Sequence, residues 1–134
     1  MLQKFIETLC IGLSISPIPK LNAQKSLSLQ LNDMIEVDLR DLDPGVAMRS
    51  KIGPCPEKRR EDLLIFLMRA NLLGQGTAGA RIGLEADEKT LTLSLGLPYE
   101  MNYQAFKQHL EEFVNYLVYW RGEVAKFERE ESIL

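Results

Sequence analysis

The run Leu63-Leu64-Ile65-Phe66-Leu67-Met68 constrains this chain more than any other feature. A charged stretch from Glu57 to Asp62 precedes it, and glycines begin after Leu73. Pro56-Glu57 in front and Gly74 behind are helix start and stop signals, so the spacing predicts a helix from Pro56-Glu57 to about Leu73. Six consecutive apolar positions on a 3.6-residue turn leave that helix apolar all round. A helix on one face of a sheet needs only a stripe, so this one requires cover on more than one side. The chain has 134 residues, room for a single domain. The simplest second cover is therefore another subunit, and a dimer through this middle helix is the expectation.

The rest of the chain is easier to place. Leu2, Phe5, Ile6, Leu9 and Leu13 recur at helical spacing and form one stripe, stopped by Pro17 and Pro19. Leu27, Leu29 and Leu31 then alternate with Ser28 and Gln30, and Ile35, Val37 and Leu39 with Glu36, Asp38 and Arg40. Period two marks strands with one buried face. A third strand begins after the Asp43-Pro44-Gly45 turn and ends near Ile52. Connections this short make the three an antiparallel meander. Beyond the middle helix, Ile82 and Leu84 pair by pattern with Leu91, Leu93, Leu95 and Leu97 around Ala86-Asp87-Glu88-Lys89. The last helix opens at Asn102, a good N-cap, and carries Tyr103, Phe106, Leu110, Phe113, Leu117, Trp120, Val124 and Phe127 on one face. Its charged end, residues 128–134, is expected to fray. The order is α-β-β-β-α-β-β-α: one α+β domain over 1–134, with helices packed on a twisted antiparallel sheet.

Composition narrows the function classes. The hydrophobic fraction of 46% and the charged fraction of 26% are those of an ordinary soluble protein. A net charge of −3 lacks the basic footprint of a general nucleic-acid binder. Lys58-Arg59-Arg60 is the one basic cluster, and Glu57, Glu61 and Asp62 surround it. Glu7 interrupts the first apolar stretch, no small-x-small site follows, and no uncharged run is long enough to span a bilayer. The chain reads as soluble, unprocessed and not inserted in a membrane.

The remaining candidate chemistry has ordinary structural readings. Gly74-x-Gly76-x-x-Gly79 matches the dinucleotide fingerprint as a string. It follows a helix and opens a strand, the reverse of what a pyrophosphate at a helix N-terminus needs. His109 is the single histidine, with no nucleophile in a recognisable context. Asp38/Asp41/Asp43 and Asp87/Glu88 lack the ligand spacing of a calcium loop. Cys10 and Cys55 stand far apart in unlike contexts, so reduced thiols are expected rather than a zinc site. No catalytic group, cofactor or metal is expected. The leucine-rich faces are more sticky surface than a small monomer easily hides, and an edge strand can accept an extended peptide.

Arg69-Ala70-Asn71-Leu72-Leu73-Gly74, followed by Thr77-Ala78-Gly79-Ala80-Arg81-Ile82-Gly83-Leu84 and a long helix bearing Trp120, resembles the type III secretion chaperones of the CesT/SycE (Tir chaperone) family. The resemblance is specific from about Leu63 to Trp120; the first three strands fit by pattern alone. It implies a bacterial cytoplasmic chaperone without ATPase activity. Such a protein holds the N-terminal segment of a secreted effector in extended form and presents it to the export apparatus. It also implies dimerisation through the middle helix and the strand after it; by position, it makes Phe66, Met68, Arg69, Leu72 and Ile82 dimer-interface residues and Leu2, Phe5, Ile6, Leu9, Leu29, Ile35 and Val37 cargo residues. Some relatives work as unlike pairs, so a non-catalytic regulatory or structural subunit of a heterodimer is the alternative to a homodimer.

Overall fold

The computed structural model describes residues 1–73 and 79–133, with side chains through Phe127 apart from that of Leu73. Its elements are α1 (Leu2–Leu13), β1 (Ser26–Asn32), β2 (Ile35–Asp41), β3 (Val46–Pro54), α2 (Arg60–Leu73), β4 (Arg81–Leu84), β5 (Thr90–Leu97) and α3 (Tyr103–Ile133). This is the order read from the sequence. The strands form one five-stranded sheet, β1-β2-β3-β5-β4, in which β1–β2, β2–β3 and β4–β5 pair antiparallel. Of the glycine-spaced run at 74, 76 and 79, only Gly79 falls among the described residues.

Two compact units share the chain, Met1–Arg49 with Gly96–Glu111 and Ser50–Leu95 with Glu112–Leu134. In the first unit, Leu2, Ile6, Leu9 and Cys10 of α1 are buried, together with Leu27 and Leu29 of β1, Val37 and Leu39 of β2, and Phe106 and Leu110 of α3. The solvated side chains alternate with them, Ser28 bonding Asp38 across the β1–β2 pair at 2.6 Å. The α1 stripe ends one turn early: Cys10 is inside, while Leu13 is 52% exposed. Ser14 adopts a left-handed conformation (φ 57°), and the amide of Ile15 turns back to the Cys10 carbonyl at 2.9 Å. The Gln3 amide then holds the proline segment, donating to the Pro19 carbonyl (3.2 Å) and accepting from the Leu21 amide (3.0 Å).

In the second unit, Leu63 and Leu67 of α2, Ile82 of β4, Leu91 and Leu93 of β5, and Phe113, Leu117, Trp120 and Val124 of α3 are buried. The 3–4 spacing along α3 keeps its buried stripe on one side over five turns. Asn102 caps that helix through Oδ1, which accepts the Ala105 amide at 2.8 Å. The middle helix begins at Arg60, later than the expected Pro56-Glu57. The chain stays with the sheet longer, through Pro54, and the Cys55 amide bonds the Lys89 carbonyl at 2.7 Å. Arg59 is left-handed (φ 54°), so the first helical bond is from the Leu63 amide to the Arg59 carbonyl at 3.1 Å. Its guanidinium lies 5.0 Å over the Phe127 ring.

Both cysteines are buried and free, and burial pushes the Cys10 thiol above its ordinary range. In the β4–β5 turn, the Asp87 carboxylate accepts the Lys89 amide (2.8 Å) and both the amide and hydroxyl of Thr90 (3.1 Å each). Those bonds, led by the one from Lys89, hold its carboxyl below the usual range. Their contribution to the turn is full above the ordinary carboxylate pKa and is lost as pH falls through the lowered one. The protection of the Lys89 and Thr90 amides, relative to their intrinsic exchange rates, should fall over that acid window, and Asp87→Ala should leave that protection low and independent of pH.

The β2–β3 turn packs closely against the chain after β5. Gly45 has φ +100°, and a Cβ there would stand 2.0 Å from the Leu97 carbonyl oxygen and 2.7 Å from the Tyr99 nitrogen, both backbone. Gly45→Ala should therefore cost about 3 kcal/mol from left-handed strain and overpacking together. Chemical denaturation should show the midpoint falling with little change in m-value.

Candidate protein-binding surfaces

The second unit carries an apolar surface that its own chain does not cover. Leu63 and Leu67 use up the inner side of α2. On the outer side Ile65, Met68 and Leu72 are 50%, 67% and 83% exposed, three apolar side chains at i, i+3 and i+7. Phe66 is only half spent: it packs edge-on to Trp120 (5.6 Å) and against Phe127 (6.0 Å), yet keeps 38% of its surface in water. Ile65, Met68, Arg69, Asn71, Leu72 and Arg81 line an open pocket of about 440 Å³. Arg69 and Arg81 are exposed, and neither has a carboxylate partner among the described residues.

Of the five residues expected at a subunit interface, the structure thus brings Met68, Arg69 and Leu72 to one pocket and leaves Phe66 on the same helix, partly exposed. Ile82 is different. Its side chain is 7% exposed and points inward, while its backbone is held by Asn71. The Asn71 amide nitrogen donates to the Ile82 carbonyl at 2.7 Å, and its oxygen accepts the Ile82 amide at 2.8 Å. Asn71 was not singled out as a site residue. An amide beside the apolar run near the end of the helix was the available signal, since such a group must find partners when half-buried.

The seven residues expected to take cargo lie in the first unit, and most of them are core. Leu2, Ile6, Leu29 and Val37 are fully buried, and Leu9 and Ile35 nearly so. Phe5 alone is half-buried, stacked on Phe106 (5.1 Å) and tilted toward Tyr103 (6.0 Å). The apolar side chains this unit exposes are others, among them Met1, Ile11 and Leu13 at the two ends of α1, Met34 in the β1–β2 turn and Leu42 after β2. Tyr99 and His109, also at the surface, share a 3.3 Å hydrogen bond.

What the first unit does offer is a sheet edge. The Asp41 amide bonds the Lys25 carbonyl at 2.8 Å, and the register runs Ser26↔Arg40 to Gln30↔Glu36. Antiparallel alternation then turns the backbone groups of Leu27 and Leu29 toward β2 and those of Ser26, Ser28 and Gln30 outward. Asn22 occupies the first of these: its amide donates to the Ser26 carbonyl (2.9 Å), and its Oδ1 accepts the Ser26 amide (3.1 Å). At the other end the register shifts between Gln30 and Asn32. The open stretch is therefore Ser28 to Gln30, two outward residues with four hydrogen-bonding groups.

Among the described residues no group of three His, Cys, Asp or Glu could hold a metal ion, and no helix is long and apolar enough to cross a membrane.

Comparison with known proteins gives three findings. The family model of the Tir chaperone protein (CesT) family matches residues 4–121. A protein of Chlamydia pneumoniae, CPj0713/CpB0740, is 23% identical over 126 residues, covering 92% of this chain and 96% of its own. Among solved structures, a chain of the HopA1-SchA chaperone-effector complex superposes with a TM-score of 0.62 at 16% identity, covering 91% of this chain and 97% of that one. At that identity the likeness is one of fold.

The α2 surface has a direct mutational signature. Met68→Asp and Leu72→Asp change side chains that are mostly in water already, so thermal stability of the protomer should stay within about 0.5 kcal/mol. Leu67→Asp, at 3% exposure, should instead unfold it. Circular dichroism melts of the three variants check this contrast.

Proposed function

The chain belongs to the Tir chaperone protein (CesT) family, and from that premise we propose that it is an ATP-independent type III secretion chaperone. It acts in the bacterial cytoplasm as a homodimer and holds the N-terminal segment of a secreted effector extended and soluble for export. The observation that carries the reading is the uncovered stripe Ile65, Met68 and Leu72 beside the pocket at Arg69 and Arg81. Exposed contiguous apolar surface on a small protein marks a place where another protein sits. A second copy supplies what the middle helix lacks, and it doubles every cargo contact by symmetry.

Cargo pairs with the open stretch of β1. Four backbone hydrogen bonds contribute about 0.5–1.5 kcal/mol each. Their sum, about 2–6 kcal/mol, covers at best the low end of the roughly 4–15 kcal/mol that association costs in lost freedom. Apolar cargo side chains must supply the rest, at about 1.5–3 kcal/mol for each one fully buried. Phe5, Ile11, Leu13 and Met34 are the exposed or half-exposed partners for them in this unit. Leu2, Ile6, Leu9, Leu29, Ile35 and Val37 form the platform under that edge, so replacing them tests the fold before it tests binding.

Two experiments check the two halves of the reading. In sedimentation the wild-type chain should run at twice the protomer mass, and Met68→Asp or Leu72→Asp should reduce it to one. A well-folded monomeric wild type would remove the homodimer, and recovery of the doubled mass only with a related chaperone would favour the unlike pair. For cargo, Ser28→Pro removes one outward amide without touching the β1–β2 ladder, a substitution an edge strand tolerates. It should weaken capture of the N-terminal segment of a secreted effector by tenfold or more. Ser28→Ala, which loses only the bond to Asp38, should not. Equal affinity for all three would place cargo elsewhere.

A further inference from the structure

A five-stranded sheet has two edges, and in this one they are unequal. β4, the edge opposite β1, is four residues long. The Glu85 amide bonds the Thr90 carbonyl at 2.9 Å, and the register runs Leu84↔Leu91, Gly83↔Thr92, Ile82↔Leu93, Arg81↔Ser94. Alternation therefore gives Arg81 and Gly83 to β5 and turns the backbone groups of Ile82 and Leu84 outward. At Ile82, the central one, a strand arriving from outside would need to donate one hydrogen bond and accept another. The Asn71 side chain already does both, at 2.7 and 2.8 Å.

We propose that Asn71 closes the β4 edge by standing in for a sixth strand, so that the sheet accepts an extended polypeptide at β1 alone. A primary amide is the one side-chain group that offers a donor and an acceptor in the spacing of a peptide bond. Carried on α2, it is fixed by the helix rather than by a partner. The occupant excluded is an extended chain, whether cargo or the β4 of another copy. Resting on the dimer reading above, this adds that copies meet through the α2 face and not by joining their sheets into one. Unguarded edges are the usual route to uncontrolled strand addition.

Hydrogen exchange on the wild-type protein gives the first test. The Ile82 amide should be protected at least tenfold more than that of Leu84, which has no such partner among the described residues. Equal protection at the two would overturn the proposal. Asn71→Leu gives the second: the Ile82 amide should lose its protection, and sedimentation should show concentration-dependent species heavier than the wild-type assembly. Proline at residue 82 in the same background (Asn71→Leu with Ile82→Pro) removes the freed donor and should reduce them. A soluble Asn71→Leu protein at wild-type mass, with its Ile82 amide exchanging freely, would sink the proposal. That result would leave the α2 dimer standing, whereas a monomeric wild type with a protected Ile82 amide would do the reverse. Should Asn71→Leu fail to fold, the wild-type exchange comparison decides alone.

Discussion

A fourteen-residue helix with apolar side chains on every side can satisfy only some of them against its own sheet, and α2 is in that position. Leu63 and Leu67 go inward; Ile65, Met68 and Leu72 are left facing water. Transferring them out of water would be worth about 1.5–3 kcal/mol each. No rearrangement of one protomer recovers that, because turning the helix to bury Met68 would expose Leu67 beside it. The rest of the second unit is arranged around this imbalance. Asn71 ties the helix to β4, Phe66 leans on Trp120, and Arg59 sits over Phe127 two turns further along α3.

Most of the architecture was legible from periodicity. The leucines at 27, 29 and 31 and the apolar positions at 35, 37 and 39 face inward or nearly so, and the stripe from Phe106 to Val124 is buried as its spacing required. Element ends were less legible. Arg59 takes a left-handed conformation, uncommon for a side chain of its size, and nothing in the sequence around it announces this. The strand before it runs through Gly53 and Pro54 because Cys55 still finds a partner in Lys89. A turn signal marks a place where the chain can leave a sheet, not one where it must.

The binding surfaces were legible only in part, for a physical reason. An amphipathic stripe looks the same in sequence whether it lies against its own protomer or against a partner, and Leu2, Ile6 and Leu9 are buried within their own protomer. The middle helix gave a sharper signal because it had too many apolar positions for one side. Asn22 and Asn71 gave almost none. What each does depends on which backbone groups antiparallel register turns outward, and register is a property of strand pairs rather than of any segment.

The outer stripe of α2 is also nearly free of structural duty. Ile65, Met68 and Leu72 hold no turn, cap no helix and fill no interior space within their protomer. A duplicated gene would therefore be at liberty to alter them in step with its sister while both products still folded. Were copies to meet through this stripe, as proposed, mutual exclusivity between the two lineages would need only a few paired changes within one helix.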